Sequence, residues 1–86
     1  MKAIRTRYLP ASLKRGPRIS ATDSDGNRVI IPHPDKDQTE ENHFEACKAL
    51  ASKMKWNGEV TAAWFAGDCF WAWHSTGAAN VYLIAP

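Results

Sequence analysis

Apolar and polar residues alternate through the first third of the chain, and this pattern predicts three β-strands. They cover residues 2–9, 18–22 and 29–31. A two-residue period is typical of a strand that is buried on one face. The turn-forming residues 23–27 separate the second strand from the third, and Pro32 stops the third.

A period of 3.6 residues predicts one helix, which covers residues 39–56. Its apolar stripe consists of Phe44, Cys47, Leu50, Ala51 and Met54. Asp37 or Thr39 is expected to cap its first turn, and Asn57-Gly58 is expected to end it. The stripe predicts that the helix packs against a sheet through one side.

Residues 59–75 predict an aromatic β-hairpin, because two apolar runs flank Gly67-Asp68. Glycine in the first position of a two-residue loop is typical of a type II′ turn. The pairs expected across this loop are Phe65 with Phe70, Trp64 with Trp71, and Ala63 with Ala72.

Both faces of this hairpin are aromatic, because side chains alternate along a strand. One face holds Trp64, Trp71 and Trp73, and the other holds Phe65, Phe70 and His74. A single helix covers one face of a small sheet, so all six are candidate partner-binding residues. The pattern leaves open which face is buried. Because tryptophan costs more to expose, we expect the tryptophan face under the helix.

A short strand at residues 81–84 completes the set of predicted elements. Their order is β-β-β-α-β-β with a short last strand. This order indicates an α+β fold in which an antiparallel sheet packs on one helix. A chain of 86 residues without repeats or linkers is expected to form a single domain, residues 1–86.

Composition argues against several classes of protein. No apolar run approaches the roughly 18 residues of a membrane span, so we expect no membrane contact and no signal peptide. Two cysteines are too few for a disulfide framework. A reduced, cytoplasmic protein is therefore expected.

Charge is unevenly spread, although the net charge is only +2. Residues 1–22 carry six basic residues and no acidic one. Arginines on a strand and in the loop after it are suited to phosphate contacts. The candidate nucleic-acid-binding residues are Arg5, Arg7, Lys14, Arg15 and Arg18. Tyr8 points to the face opposite Arg5 and Arg7, so little base stacking is expected beside them.

The residues that carry chemistry form no catalytic or metal-binding pattern. His43 and Cys47 share one helix face, but Cys69 and His74 point to opposite faces of their strand. Cys47 also belongs to the apolar stripe, as is typical of a buried free thiol. The chain has no nucleophile elbow, phosphate-binding glycine loop or zinc motif. We therefore expect no enzyme activity, no cofactor and no metal.

Three segments carry a resemblance to a known group of proteins. They read K-A-I-R-T-R-Y-L at residues 2–9, R-G-P-R-I-S-A at residues 15–21 and V-I-I-P-H at residues 29–33, before a helix from Thr39. In these segments the chain resembles small uncharacterised proteins of phages and plasmids. The resemblance implies a mobile-element origin and a bacterial host, and it implies no catalytic residue.

Two functions from different classes are expected from these features. The first is a non-enzymatic protein–protein binder that contacts a host or defence component, as anti-CRISPR inhibitors do, or that pairs with a second copy of itself. The alternative is a weak, sequence-independent nucleic-acid binder that acts through the basic N-terminal strand and loop.

Overall fold

The chain forms six β-strands and one α-helix in a computed structural model, which describes residues 3–33, 39–73 and 81–85. The elements are β1 (Ala3–Leu9), β2 (Arg18–Thr22), β3 (Arg28–Pro32), α1 (Thr39–Met54), β4 (Gly58–Phe65), β5 (Asp68–Trp73) and β6 (Val81–Ile84). The predicted α+β fold is confirmed, and the short last strand is present. In the described part of the chain, no helix is long and apolar enough to cross a membrane.

All six strands belong to one antiparallel sheet, in the order β3-β2-β1-β5-β4-β6. The N-terminal strand β1 therefore lies in the middle of the sheet. It pairs with β2 on one side and with β5 on the other, where Ile4 faces Trp71 and Thr6 faces Cys69. This pairing joins the first three strands to the aromatic hairpin.

Helix α1 packs on one face of the sheet and buries a small apolar core. The core consists of Ile4, Ile19, Ala21, Ala46, Cys47, Leu50, Ala51, Val60, Cys69, Trp71 and Ile84. The predicted helix stripe is confirmed, with Phe44 and Met54 at its margins. Phe44 stacks at an angle on Trp71 and Tyr82. The helix buries Asn42 and His43 as well, which the apolar stripe did not predict.

One buried hydroxyl connects the helix to the centre of the sheet. The Trp71 indole donates to Thr6 Oγ1 at 3.0 Å, and the Thr6 hydroxyl donates to the Cys69 carbonyl at 3.2 Å. His43 Nδ1 lies 2.8 Å from the same oxygen. A hydroxyl has one proton and two lone pairs, so His43 fits this network with its proton on Nδ1. The buried polar groups of Thr6, Trp71 and His43 thereby each have a hydrogen-bonding partner.

The helix ends earlier than the sequence predicts. Met54 is its last residue, and Lys55 takes a left-handed conformation with φ 61°. The Trp56 N–H donates to the Ala51 carbonyl at 2.8 Å, and the Lys55 N–H donates to the Ser52 carbonyl at 3.2 Å. These two bonds form a Schellman motif with Lys55 in the place that glycine usually takes. The prediction that Asn57-Gly58 ends the helix is therefore wrong, since Gly58 opens β4.

The turn of the aromatic hairpin lies one residue earlier than predicted. Ala66 and Gly67 form it, with φ values of 53° and 84°, as a type I′ turn requires. Phe65 consequently pairs with Asp68, and the predicted Phe65–Phe70 pair is wrong. The predicted Trp64–Trp71 and Ala63–Ala72 pairs are wrong too: Cys69 faces Trp64 and Phe70 faces Ala63.

Asp68 explains the shift of the turn. Its carboxylate is bound by two arginines of β1, which makes Asp68 the first residue of β5 instead of a turn residue. Each pairing partner moves by two residues, so every side chain keeps its predicted face. The error in the register therefore leaves the division into a tryptophan face and a phenylalanine face intact.

Replacing the first turn residue tests this geometry. Ala66→Asn is expected to stabilise the protein by about 0.5–1 kcal/mol, because asparagine tolerates positive φ and Asn-Gly favours a type I′ turn. Ala63→Asn, the same change within the exposed part of β4, should destabilise it by up to about 1 kcal/mol. Urea denaturation measures both. A loss of stability in Ala66→Asn would show that the turn does not use these residues.

Buried His43 gives the stability of the fold a pH dependence. Burial lowers the pKa of His43 from its ordinary value of 6.5, so the unfolded chain binds the proton more tightly than the folded one. The contribution of a neutral His43 is complete above about pH 6.5 and is lost as the pH falls below it. Between about pH 7 and pH 5, His43→Asn should lose less stability than the original protein, because asparagine donates to Thr6 without titrating. Equal losses in urea denaturation would contradict this account.

Candidate functional site: the open face of the sheet

The sheet has one face that α1 does not cover, which we call the open face. Strand alternation and register place twelve central side chains on it: Arg5, Arg7, Leu9, Arg18, Ser20, Thr22, Arg28, Ile30, Ala63, Phe65, Asp68 and Phe70. The part of the chain that the structure describes contains no second helix or sheet to cover this face. The open face is therefore the surface on which a predicted site residue can meet a ligand.

The register arranges these side chains in two rows that cross the strands. One row runs Arg28, Thr22, Arg5, Phe70 and Ala63. The next row runs Ile30, Ser20, Arg7, Asp68 and Phe65. Neighbours within a row lie about 5 Å apart. Cations consequently occupy the side of β1 and β3, and aromatic rings occupy the side of β5 and β4.

Asp68 holds the two arginines of β1 in place. Arg5 Nε donates to Asp68 Oδ2 at 2.8 Å, while Arg7 donates from Nε to Oδ1 at 3.2 Å and from Nη2 to Oδ2 at 3.1 Å. The guanidinium groups cover the carboxylate, and Asp68 is only 8% exposed. Since one carboxylate faces two guanidinium groups, the cluster keeps an excess positive charge.

A small concavity lies among these arginines, and we call it the arginine cup. It has a volume of about 210 Å³ and is lined by Arg5, Arg7, Leu9, Ser20, Thr22 and Arg28. Ser20 is buried and Thr22 is half-buried, whereas Arg7 and Arg28 are exposed, so we call the two hydroxyl residues the floor of the cup and the arginines its rim. The cup thus combines charged donors at its rim with hydroxyl groups below them.

The phenylalanine face of the hairpin belongs to the open face. Phe65 is 74% exposed, and Phe70 is half-buried beside Arg5 in the neighbouring strand. The expectation that the basic residues have little aromatic company is therefore wrong. Tyr8 is the only ring near the arginines in the sequence, but the pairing of β1 with β5 places Phe70 beside Arg5.

The tryptophan face lies on the helix side of the sheet, as expected, and Trp71 is its fully buried member. Trp73 donates its indole N–H to the Asn57 carbonyl at 2.9 Å. Trp64 is 43% exposed, but it donates to Glu40 at the start of α1 at 2.9 Å. These contacts make the three tryptophans part of the sheet–helix packing. His74, the remaining residue of the predicted partner-binding set, lies outside the described residues.

The structure separates the predicted basic residues into two groups. Arg5, Arg7 and Arg18 lie on the open face, and Arg15 lines a shallow hollow together with Arg18 and Ile30. Lys14 is an exposed residue of the loop between β1 and β2.

Sequence reasoning missed Arg28 and the role of Asp68. Arg28 directly follows a turn, and its pairing with Thr22 places it on the open face. The alternation within β3 was a usable signal, because Val29 and Ile31 lie on the core side.

Both thiols and the His43 imidazole are buried. Burial raises the pKa of both Cys47 and Cys69 to about 12, so both are neutral thiols at physiological pH. His43 is occupied by the Thr6 network. Within the described ranges, no group of three or more His, Cys, Asp or Glu side chains is placed to hold a metal ion.

Comparisons with protein-family models, with curated proteins and with solved structures gave no match to this chain. Its function therefore has to be inferred from the chemistry of the open face.

Removing the charge of Asp68 tests how far the arginines depend on it. Asp68→Asn is expected to cost about 1–3 kcal/mol in urea denaturation, because the amide has no charge and replaces one of the two acceptor oxygens by an NH2 donor that faces a guanidinium group. Glu45→Gln is the control, since it breaks the surface pair with Lys48 and should cost less than about 0.5 kcal/mol. Equal costs would show that Asp68 does not organise the open face.

Proposed function

We propose that this chain is a non-enzymatic binding protein that holds single-stranded nucleic acid across the open face of its sheet. The observation that supports this function is the register itself. It places the arginines of β1 beside half-buried Phe70 in β5 and exposed Phe65 in β4, on one uncovered face.

Each kind of side chain suits a different part of the ligand. Guanidinium groups bind phosphate oxygens with charged hydrogen bonds. Phenyl rings stack on base faces, which are accessible only when the bases are unpaired. A duplex would offer phosphates to Arg5 and Arg28 but no base to Phe65 or Phe70. The combination therefore favours a single strand.

The dimensions of the face suit a short stretch of strand. From Arg28 in β3 to Ala63 in β4 a row crosses four inter-strand gaps of about 5 Å, so it extends over about 20 Å. Within the described residues, the open face carries no asparagine or glutamine to read adenine edges, and its phenyl rings can stack on any base. We therefore expect binding that tolerates many sequences, as predicted for the basic N-terminal strand and loop.

A protein partner is the second candidate function, and the edge strand β6 favours it. Leu83 is 66% exposed and Val81 is exposed beside it on the same face. Among the described strands, β6 pairs only with β4, so its outer edge can accept a strand from another chain. That chain would be a second copy or a host or defence protein, as the resemblance to mobile-element proteins suggests.

Fluorescence anisotropy with labelled oligonucleotides tests the first function. Affinity for a single strand should fall steeply with salt, and Arg28→Gln should weaken binding and reduce the log–log slope by about 1. Phe65→Ala should cost about 1–3 kcal/mol for single strands and little for duplexes, because it removes a stacking surface. Lys48→Gln removes an equal charge from the helix side and should change little.

Two results would contradict the proposal. One is undetectable binding at low salt. The other is an equal effect of Arg28→Gln and Lys48→Gln. A dimer in sedimentation that Leu83→Lys dissociates, without oligonucleotide binding, would support the protein partner instead.

A further inference from the structure

The arginine cup has a charge that suits a particular phosphate group. Its rim carries the guanidinium groups of Arg5, Arg7 and Arg28, and Asp68 is the carboxylate bound to two of them. Three positive charges and one negative charge leave an excess of two. A phosphodiester within a strand carries one negative charge, whereas a terminal phosphate carries about −1.5 to −2 at neutral pH. The cup is therefore better matched to a strand end.

We propose that the arginine cup binds the terminal phosphate of the nucleic-acid strand, so that the protein prefers phosphorylated ends. This inference rests on the proposed function, because it assigns one end of the ligand to one part of the open face. The donor geometry supports it. Three guanidinium groups and the side chains of Ser20 and Thr22 line the cup, so it offers charged and hydroxyl donors to the three terminal oxygens of a phosphate.

Asp68 leaves donor groups of both β1 arginines available. Within the described part of the chain, Arg5 uses only its Nε for Asp68, and Arg7 uses its Nε and Nη2. The guanidinium groups are thus oriented before a ligand arrives, and less side-chain freedom is lost on binding. The same guanidinium groups cover the carboxylate, which limits its repulsion of an anion.

The position of the cup agrees with a ligand that ends there. The cup lies toward β3, which is an edge strand, and the rings lie on the opposite side in β5 and β4. A strand anchored by its end in the cup would pass Arg5 and place its next bases near Phe70 and then Phe65. The open face would therefore have a phosphate-binding side and a base-stacking side.

Three labelled oligonucleotides of one sequence test this proposal, with a 5′-phosphate, a 3′-phosphate or hydroxyl groups at both ends. One phosphorylated form is expected to bind about tenfold more tightly than the form with hydroxyl ends. Arg28→Gln should remove this preference, whereas Lys48→Gln should retain it. Thr22→Val, which changes no charge, should reduce the preference by removing a floor hydroxyl. Circular dichroism verifies that each variant is folded.

Three other outcomes would contradict the terminal-phosphate proposal. Equal binding of all three oligonucleotides would overturn the terminal-phosphate proposal and leave the proposed function standing. Binding of inorganic phosphate at Ser20 and Thr22 in amide NMR spectra, without binding of any oligonucleotide, would overturn both. A phosphoserine peptide that binds more tightly than the phosphorylated oligonucleotides would also overturn both, and it would identify a protein ligand.

Discussion

The whole structure depends on the pairing of β1 with β5, because this pairing joins the N-terminal strands to the aromatic hairpin. Side chains reinforce it on both faces of the sheet. On the helix side, the Thr6 hydroxyl binds Trp71 and the Cys69 carbonyl. On the open side, Arg5 and Arg7 bind Asp68. The buried side uses neutral groups and the exposed side uses charges, as the cost of burying an ion requires.

The two aromatic faces differ in whether their rings carry a hydrogen-bond donor. Each hairpin indole has an N–H that requires an acceptor, and the helix side supplies Thr6, Glu40 and the Asn57 carbonyl. Phenylalanine has no polar group to satisfy, so an exposed ring costs only its apolar hydration. The same arrangement places the rings where a ligand can reach them. One face of the hairpin thus packs on the helix side, and the other is left without cover by the described residues.

Local sequence determined most of the elements. The alternation in residues 2–9 and the stripe around Leu50 each depend on the period of one segment, and the structure has β1 and the buried side of α1 at these places. The division of the hairpin into two faces also depends only on alternation, so it survived an error in the turn. The predictions that failed were the end of the helix and the turn of the hairpin. Ala66 and Lys55 have positive φ although neither is glycine. Contacts with neighbouring residues stabilise these conformations, and residue propensities do not predict such contacts.

Tertiary structure alone decided how the candidate site is assembled. Arg28 joins Arg5 because β2 connects their strands, and Phe70 joins Arg5 because β1 lies at the centre of the sheet. Arg5, Arg28 and Phe70 are far apart in the chain. The periodic pattern of a strand does not predict which other strand will pair with it. The sequence by itself determined which residues share a face of each strand. Only the packing of the strands around Thr6 and Asp68 decided which of those faces meet, because non-local pairing is selected by side-chain contacts across the sheet.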